Sequence, residues 1–189
     1  MIKIPTEDAV KAERNRLRYR KKWRKTLLNT IYILIVVAAV SVLAATLFVP
    51  VLQVSGSSME PTLNDKDIVL LYKTPTFETG ELCAFYYQNK LLLKRVIGSP
   101  GDIIDIDKNG NVSVNGEVLD EPYVTNKSIG ECDITLPYQV PENRYFVLGD
   151  NRTTSIDSRT SVVGCIEKEQ IIGRVTFRVW PFENMSFIK

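Results

Sequence analysis

Without a histidine anywhere in the chain, a serine and a lysine are the economical pair from which to build a nucleophile and its base. The serine candidate lies in Val54-Ser55-Gly56-Ser57-Ser58-Met59-Glu60-Pro61-Thr62-Leu63. Small, flexible residues precede Ser58, and Pro61 fixes the exit. Such a turn leaves a hydroxyl exposed and lets a backbone N–H point at a developing oxyanion. The same composition also suits a Ser/Gly linker. The lysine candidate lies in Leu91-Leu92-Leu93-Lys94-Arg95-Val96-Ile97-Gly98. Burying an ammonium is costly, and a lysine made neutral by desolvation can act as a general base. Strand alternation sets Lys94 and Arg95 on opposite faces, so one is expected to face the interior and the other solvent. The alternative is an edge lysine that guards against aggregation. A third polar segment, Gly149-Asp150-Asn151-Arg152-Thr153-Thr154-Ser155-Ile156-Asp157-Ser158-Arg159, reads either as a solvated turn-rich loop or as a shell that holds the base.

The missing histidine excludes Ser-His-Asp and Cys-His catalysis, sortase chemistry, HExxH proteases and His-ligated metals. Cys83, Cys132 and Cys165 show neither a CxxC nor a metal-ligand spacing, and read most simply as small buried residues with at most one disulfide among them. The net charge of +2 hides an asymmetry. Residues 1–26 carry ten Lys/Arg against Glu7, Asp8 and Glu13, which makes +7 there and leaves −5 for the rest. That concentration beside an apolar run implies contact with anionic lipid rather than nucleic acid.

The run is Leu27 to Val49, 23 residues without a charge, followed by Pro50. It is long enough to cross a hydrocarbon core of about 30 Å. The excess of Lys/Arg before it places residues 1–26 in the cytoplasm and the remainder outside. The rival reading is a cleaved secretory signal, with Val42-Leu43-Ala44 as the cut site. Beyond Val51 the pattern changes to short apolar runs between turn residues. Strands are predicted at 52–55, 67–72, 82–88, 90–97, 103–107, 111–114, 145–148 and 172–179. Asn109-Gly110 and Asn115-Gly116 carry hairpin chemistry. The reading is a basic tail (1–26), an anchor (27–50) and a mainly antiparallel β domain (51–189), with 102–141 as a smaller inserted lobe.

Taken together and in order, Ser57-Ser58-Met59-Glu60-Pro61-Thr62-Leu63, Lys94-Arg95-Val96-Ile97-Gly98-Ser99-Pro100-Gly101-Asp102 and Gly149-Asp150-Asn151-Arg152…Ser155-Ile156-Asp157-Ser158-Arg159 resemble the signature boxes of bacterial type I signal peptidases, the Ser–Lys serine proteases of peptidase family S26. Trp180-Pro181-Phe182 and the single anchor fit as well, and the resemblance runs from Arg24 onward. It implies a β barrel-like catalytic core with no metal or organic cofactor. It implies Ser58 as nucleophile, with its N–H in the oxyanion hole, and Lys94 as general base. Ser155 would bond the Lys94 amine, with Asp157 and Arg159 bracing that region. Val54, Leu63 and Leu93 would line pockets for small substrate side chains. The partners implied are secreted pre-proteins with small residues first and third before the cut, and membrane lipid. The sequence departs from the family pattern at Gly56, where some members carry an oxyanion-donating serine, at Thr153-Thr154 in place of Asp-Asn, and in a longer Thr160–Val163. Two other readings compete: a self-cleaving Ser–Lys repressor domain, against which the apolar segment argues, and a membrane-tethered non-enzymatic binding module.

Overall fold

No glycine or proline interrupts residues 7–48, and the chain there is one continuous helix, α1 (Glu7–Phe48). In the computed structural model, residues 7–48 and 50–188 are described. Val49 and residues 1–6, the ends of the predicted apolar run and basic tail, lie outside them. At 42 residues α1 is about 63 Å long, twice what a hydrocarbon core needs. The helix extends well into the basic tail, because Ala, Glu, Lys and Arg are good helix formers that need no apolar face. Its Val10–Leu43 stretch is long and apolar enough to cross a membrane and is fully exposed. The helix and the domain that follows are separate compact units.

The domain is built on two antiparallel sheets. The larger runs in the order β1 (Val51–Gln53), β2 (Ile68–Tyr72), β11 (Ile171–Trp180), β3 (Leu82–Tyr87), β4 (Lys90–Gly98), β9 (Arg144–Leu148), β10 (Ile166–Glu167), with β12 (Ser186–Phe187) also on β11. The smaller, β7 (Glu117–Val118), β6 (Val112–Val114), β5 (Ile103–Ile106), β8 (Tyr138–Gln139), is inserted between β4 and β9. The larger ladder ends at β1 and β10 and does not close, so the barrel-like form is an open, bent sheet. Register shifts along β11, at Ile171/Gly173, Val175/Phe177 and Arg178/Trp180, are where this strand bends.

The predicted β1 begins one residue earlier than expected and stops before Val54, whose N–H and C=O pair irregularly with Asp67 and Lys66. β7, β8, β10 and β12 were not predicted: two residues carry no periodicity to read. The second hairpin turn has the expected chemistry. Val114 pairs with Glu117 across Asn115 (φ 54°) and Gly116 (φ 85°), a two-residue turn with both central residues left-handed. A Cβ on Gly116 would meet no other atom, so any cost of substitution there is conformational. Gly116→Val is expected to destabilise the domain by about 1–2 kcal/mol and Gly116→Asn by much less, measured as shifts of the urea unfolding midpoint.

Candidate active site

β4 lies between β3 and β9, and every residue from Leu93 to Gly98 is buried. Lys94 is 3% exposed and Arg95 1% exposed, so the expectation that one of them faces solvent is overturned. A central strand has no solvent face when both of its sides are covered. Arg95 is compensated in full. Its Nε donates to Asp150 Oδ1 (2.9 Å), Nη2 to Asp150 Oδ2 (2.7 Å) and Nη1 to the Gly80 carbonyl (2.6 Å), and its guanidinium lies 3.7 Å from the centroid of the Tyr123 ring.

Lys94 has much less. Among the described residues its Nζ has one hydrogen-bond partner, Ser155 Oγ, at 2.9 Å. Directly across the ladder stands Cys83, fully buried, whose own burial pushes its pKa up to about 12 and keeps it a neutral thiol. Burial pushes Lys94 down to about 8, against the pull of Asp157 and Asp150 and with the help of Arg159. Desolvation wins because each carboxylate is already held by its own arginine.

The 149–159 loop holds Ser155 through Asp157 and Arg159, both fully buried. Arg159 Nε and Nη2 donate to the two Asp157 oxygens at 2.8 and 2.9 Å, and Nη2 also reaches the Ser155 carbonyl at 3.2 Å. Arg159 Nη1 donates to the Ile129 carbonyl (2.9 Å) in the inserted lobe, and Asp157 Oδ2 accepts the Gly149 N–H (3.0 Å).

The Ser58 turn is fastened to this same loop. Asn151 donates from its backbone N–H to the Ser58 carbonyl (3.1 Å) and from Nδ2 to the Ser57 carbonyl (3.3 Å). Thr62 Oγ1 donates to Asp150 Oδ2 at 2.5 Å. At Gly149 the approach is so close that a Cβ would lie 2.6 Å from the Ser58 carbonyl oxygen and would overlap the Ser155 side chain. The backbone of Ser58 and the residue that bonds Lys94 therefore meet over one face of a glycine, where a side chain would part them. The Ser58 N–H and hydroxyl have no hydrogen-bond partner among the described residues, and Ser58 is half-buried.

Val54, Leu63 and Leu93 share one core cluster with Met59, at 3%, 0% and 8% exposure. The departures fall on the rim. Gly56 donates its N–H to Asp65 (2.9 Å), Thr153 and Thr154 are exposed, and Ser161 bonds Asp133. Thr62, Asp150, Asn151 and Arg152 were given no individual role from sequence. Their polarity was visible, but their partners lie 31 to 94 residues away. All three cysteines are free thiols.

The structure thus brings together a buried amine with a depressed pKa, a serine bonded to it and the backbone of a second serine, groups from which a serine nucleophile and an amine base can be built. Residues 24–180 match the family model for signal peptidases of peptidase family S26, and the chain belongs to that family. It is 36% identical over 184 residues to a signal peptidase IB of Staphylococcus aureus, covering 87% of this chain and 95% of the relative. To a signal peptidase I of Bacillus amyloliquefaciens it is 37% identical over 168 residues, 83% of this chain and 89% of the other. A crystal structure of a signal peptidase I from Enterococcus faecalis aligns with a TM-score of 0.46 at 28% identity, over 53% of this chain and 97% of that one.

The depressed lysine makes a stability prediction. Folded Lys94 holds its proton less tightly than the unfolded chain, so its charge opposes folding fully below pH 8. That penalty fades as pH rises from about 8 to 10.5. Lys94→Met is expected to raise stability at pH 7 by about 1–3 kcal/mol, with a gain that shrinks across that window, measured by denaturant unfolding at several pH values.

Proposed function

We propose that this chain is a membrane-anchored serine endopeptidase that removes N-terminal signal peptides from secreted pre-proteins, with Ser58 as nucleophile and Lys94 as general base. Membership of the signal peptidase family supports the reaction class and disfavours a non-enzymatic tether. The observation that carries the residue assignment is the buried Lys94 amine, held by Ser155 beside the Ser58 backbone.

Neutral Lys94 removes the Ser58 hydroxyl proton as Oγ attacks the scissile carbonyl carbon. The carbonyl oxygen becomes an oxyanion, stabilised by the Ser58 N–H. The Lys94 ammonium then gives its proton to the leaving amine, the peptide C–N bond breaks, and an acyl-enzyme remains. Lys94, neutral again, activates a water that cleaves the ester and restores Ser58. Ser155 orients the amine, while Asp157 and Arg159 fix Ser155. Val54 and Leu93, backed by Leu63, form a shallow apolar floor that admits only small side chains at the first and third positions before the cut. The substrate binds extended, as an added strand.

Residues 27–50 are the anchor, with the basic residues 1–26 in the cytoplasm against anionic lipid and 51–189 outside. Residues 102–141 are the smaller lobe of the catalytic domain. No role with nucleic acid is assigned.

Ser58→Ala and Lys94→Ala are each expected to abolish cleavage of a model pre-protein by detergent-solubilised enzyme while the domain stays folded. Mass spectrometry of the products gives the cut site, and near-full activity of Lys94→Ala would refute the base assignment. Because the base is the unprotonated amine, kcat/KM should rise with pH through a midpoint near 8. It should lie about tenfold below its plateau one unit under that midpoint. A profile flat from pH 6 to 10, with chemistry rate-limiting, would refute it equally.

A further inference from the structure

The inserted lobe reaches the catalytic loop through a buried carboxylate that the mechanism leaves unused. Glu121 is 4% exposed and Arg152 2% exposed, and they form a bidentate pair, Nη1 to Oε2 at 3.1 Å and Nη2 to Oε1. Arg152 then spends its remaining side-chain direction on the catalytic loop, with Nε donating to the Gly149 carbonyl at 3.1 Å. The residue so held is the glycine against whose Cα both the Ser58 carbonyl and the Ser155 side chain pack. Its N–H is taken by Asp157 and its carbonyl by Arg152, so the two peptide units that flank Gly149 are each fixed by a buried side chain. Tyr123, also in the inserted lobe, donates its hydroxyl to Glu121 Oε1 (3.2 Å) and stacks under Arg95, the neighbour of Lys94.

We propose that Glu121 is a positioning residue for the peptidase reaction: by orienting Arg152 it clamps the Gly149 carbonyl and so sets the spacing between Ser58 and the Ser155–Lys94 pair. This rests on the assignment of Ser58 and Lys94 made above. A buried ion pair replaced on both sides by apolar residues often keeps or gains stability, whereas removing one partner strands a charge. The directed hydrogen bond to Gly149 has no apolar substitute. Stability and positioning can therefore be separated by experiment.

The test uses the full chain in detergent, a model pre-protein, and the variants Glu121→Gln and Glu121→Met/Arg152→Met. Glu121→Gln is expected to lower kcat about 10–100-fold with KM within twofold, because the apolar floor is untouched while the reacting groups are displaced. The double variant should recover melting temperature relative to Glu121→Gln but not kcat. The clamp is overturned if Glu121→Gln keeps kcat within twofold, or if kcat returns in step with melting temperature in the double variant. Should the double variant fail to fold, the kcat and KM of Glu121→Gln decide alone. Cleavage by Ser58→Ala would instead overturn the catalytic assignment beneath it, which wild type and that variant report in the same assay.

Discussion

A single amine kept out of water is the constraint around which this domain is organised. An ammonium inside a protein is tolerated only when its charge is matched or its proton is given up. At Lys94 the balance is moved toward the second outcome: burial outweighs the attraction of Asp157 and Asp150, the pKa falls to about 8, and the neutral amine comes within reach of mildly alkaline pH. The surroundings explain why. The residue across the ladder is a neutral thiol, and the hydrogen-bond partner is a hydroxyl, which satisfies the amine without demanding that it stay charged.

Next to this one unmatched cation stand three buried guanidinium–carboxylate pairs, Arg95–Asp150, Arg152–Glu121 and Arg159–Asp157. Such pairs add little net stability, because desolvation consumes most of their attraction. Their value here is geometric. The two long-range pairs join segments 55 and 31 residues apart, and the short-range Asp157–Arg159 pair extends to backbone carbonyls at Ser155 and Ile129. Together they hold the Ser58 turn, β4, the 149–159 loop and the inserted lobe in one arrangement. No described buried side-chain polar atom is left without a partner, the pattern expected where position rather than hydrophobic packing is being specified.

The family match takes in the apolar run but little of the basic stretch before it. The match to signal peptidases begins at residue 24, so most of the basic stretch precedes it, while α1 runs through both without a break. The basic residues from Lys11 to Lys25 thus stand on the same continuous helix as the apolar run.

From sequence alone, the absence of histidine narrowed the chemistry, the charge-free run marked the apolar helix, and turn residues delimited most strands. Lys94 stood out as a lysine inside an apolar strand, whereas the Ser58 turn read equally as a linker until the in-order boxes gave the family and singled that serine out. Periodicity could not give the fate of Arg95, since alternation says which residues share a face but not whether both faces are covered. Nor could it show that Gly149 is where the two serines meet, that Glu121 reaches Arg152, or that the larger sheet stays open. Local patterns are written in neighbouring residues, whereas burial, pairing and pKa depend on groups brought together from distant parts of the chain, and only the folded structure brings them together.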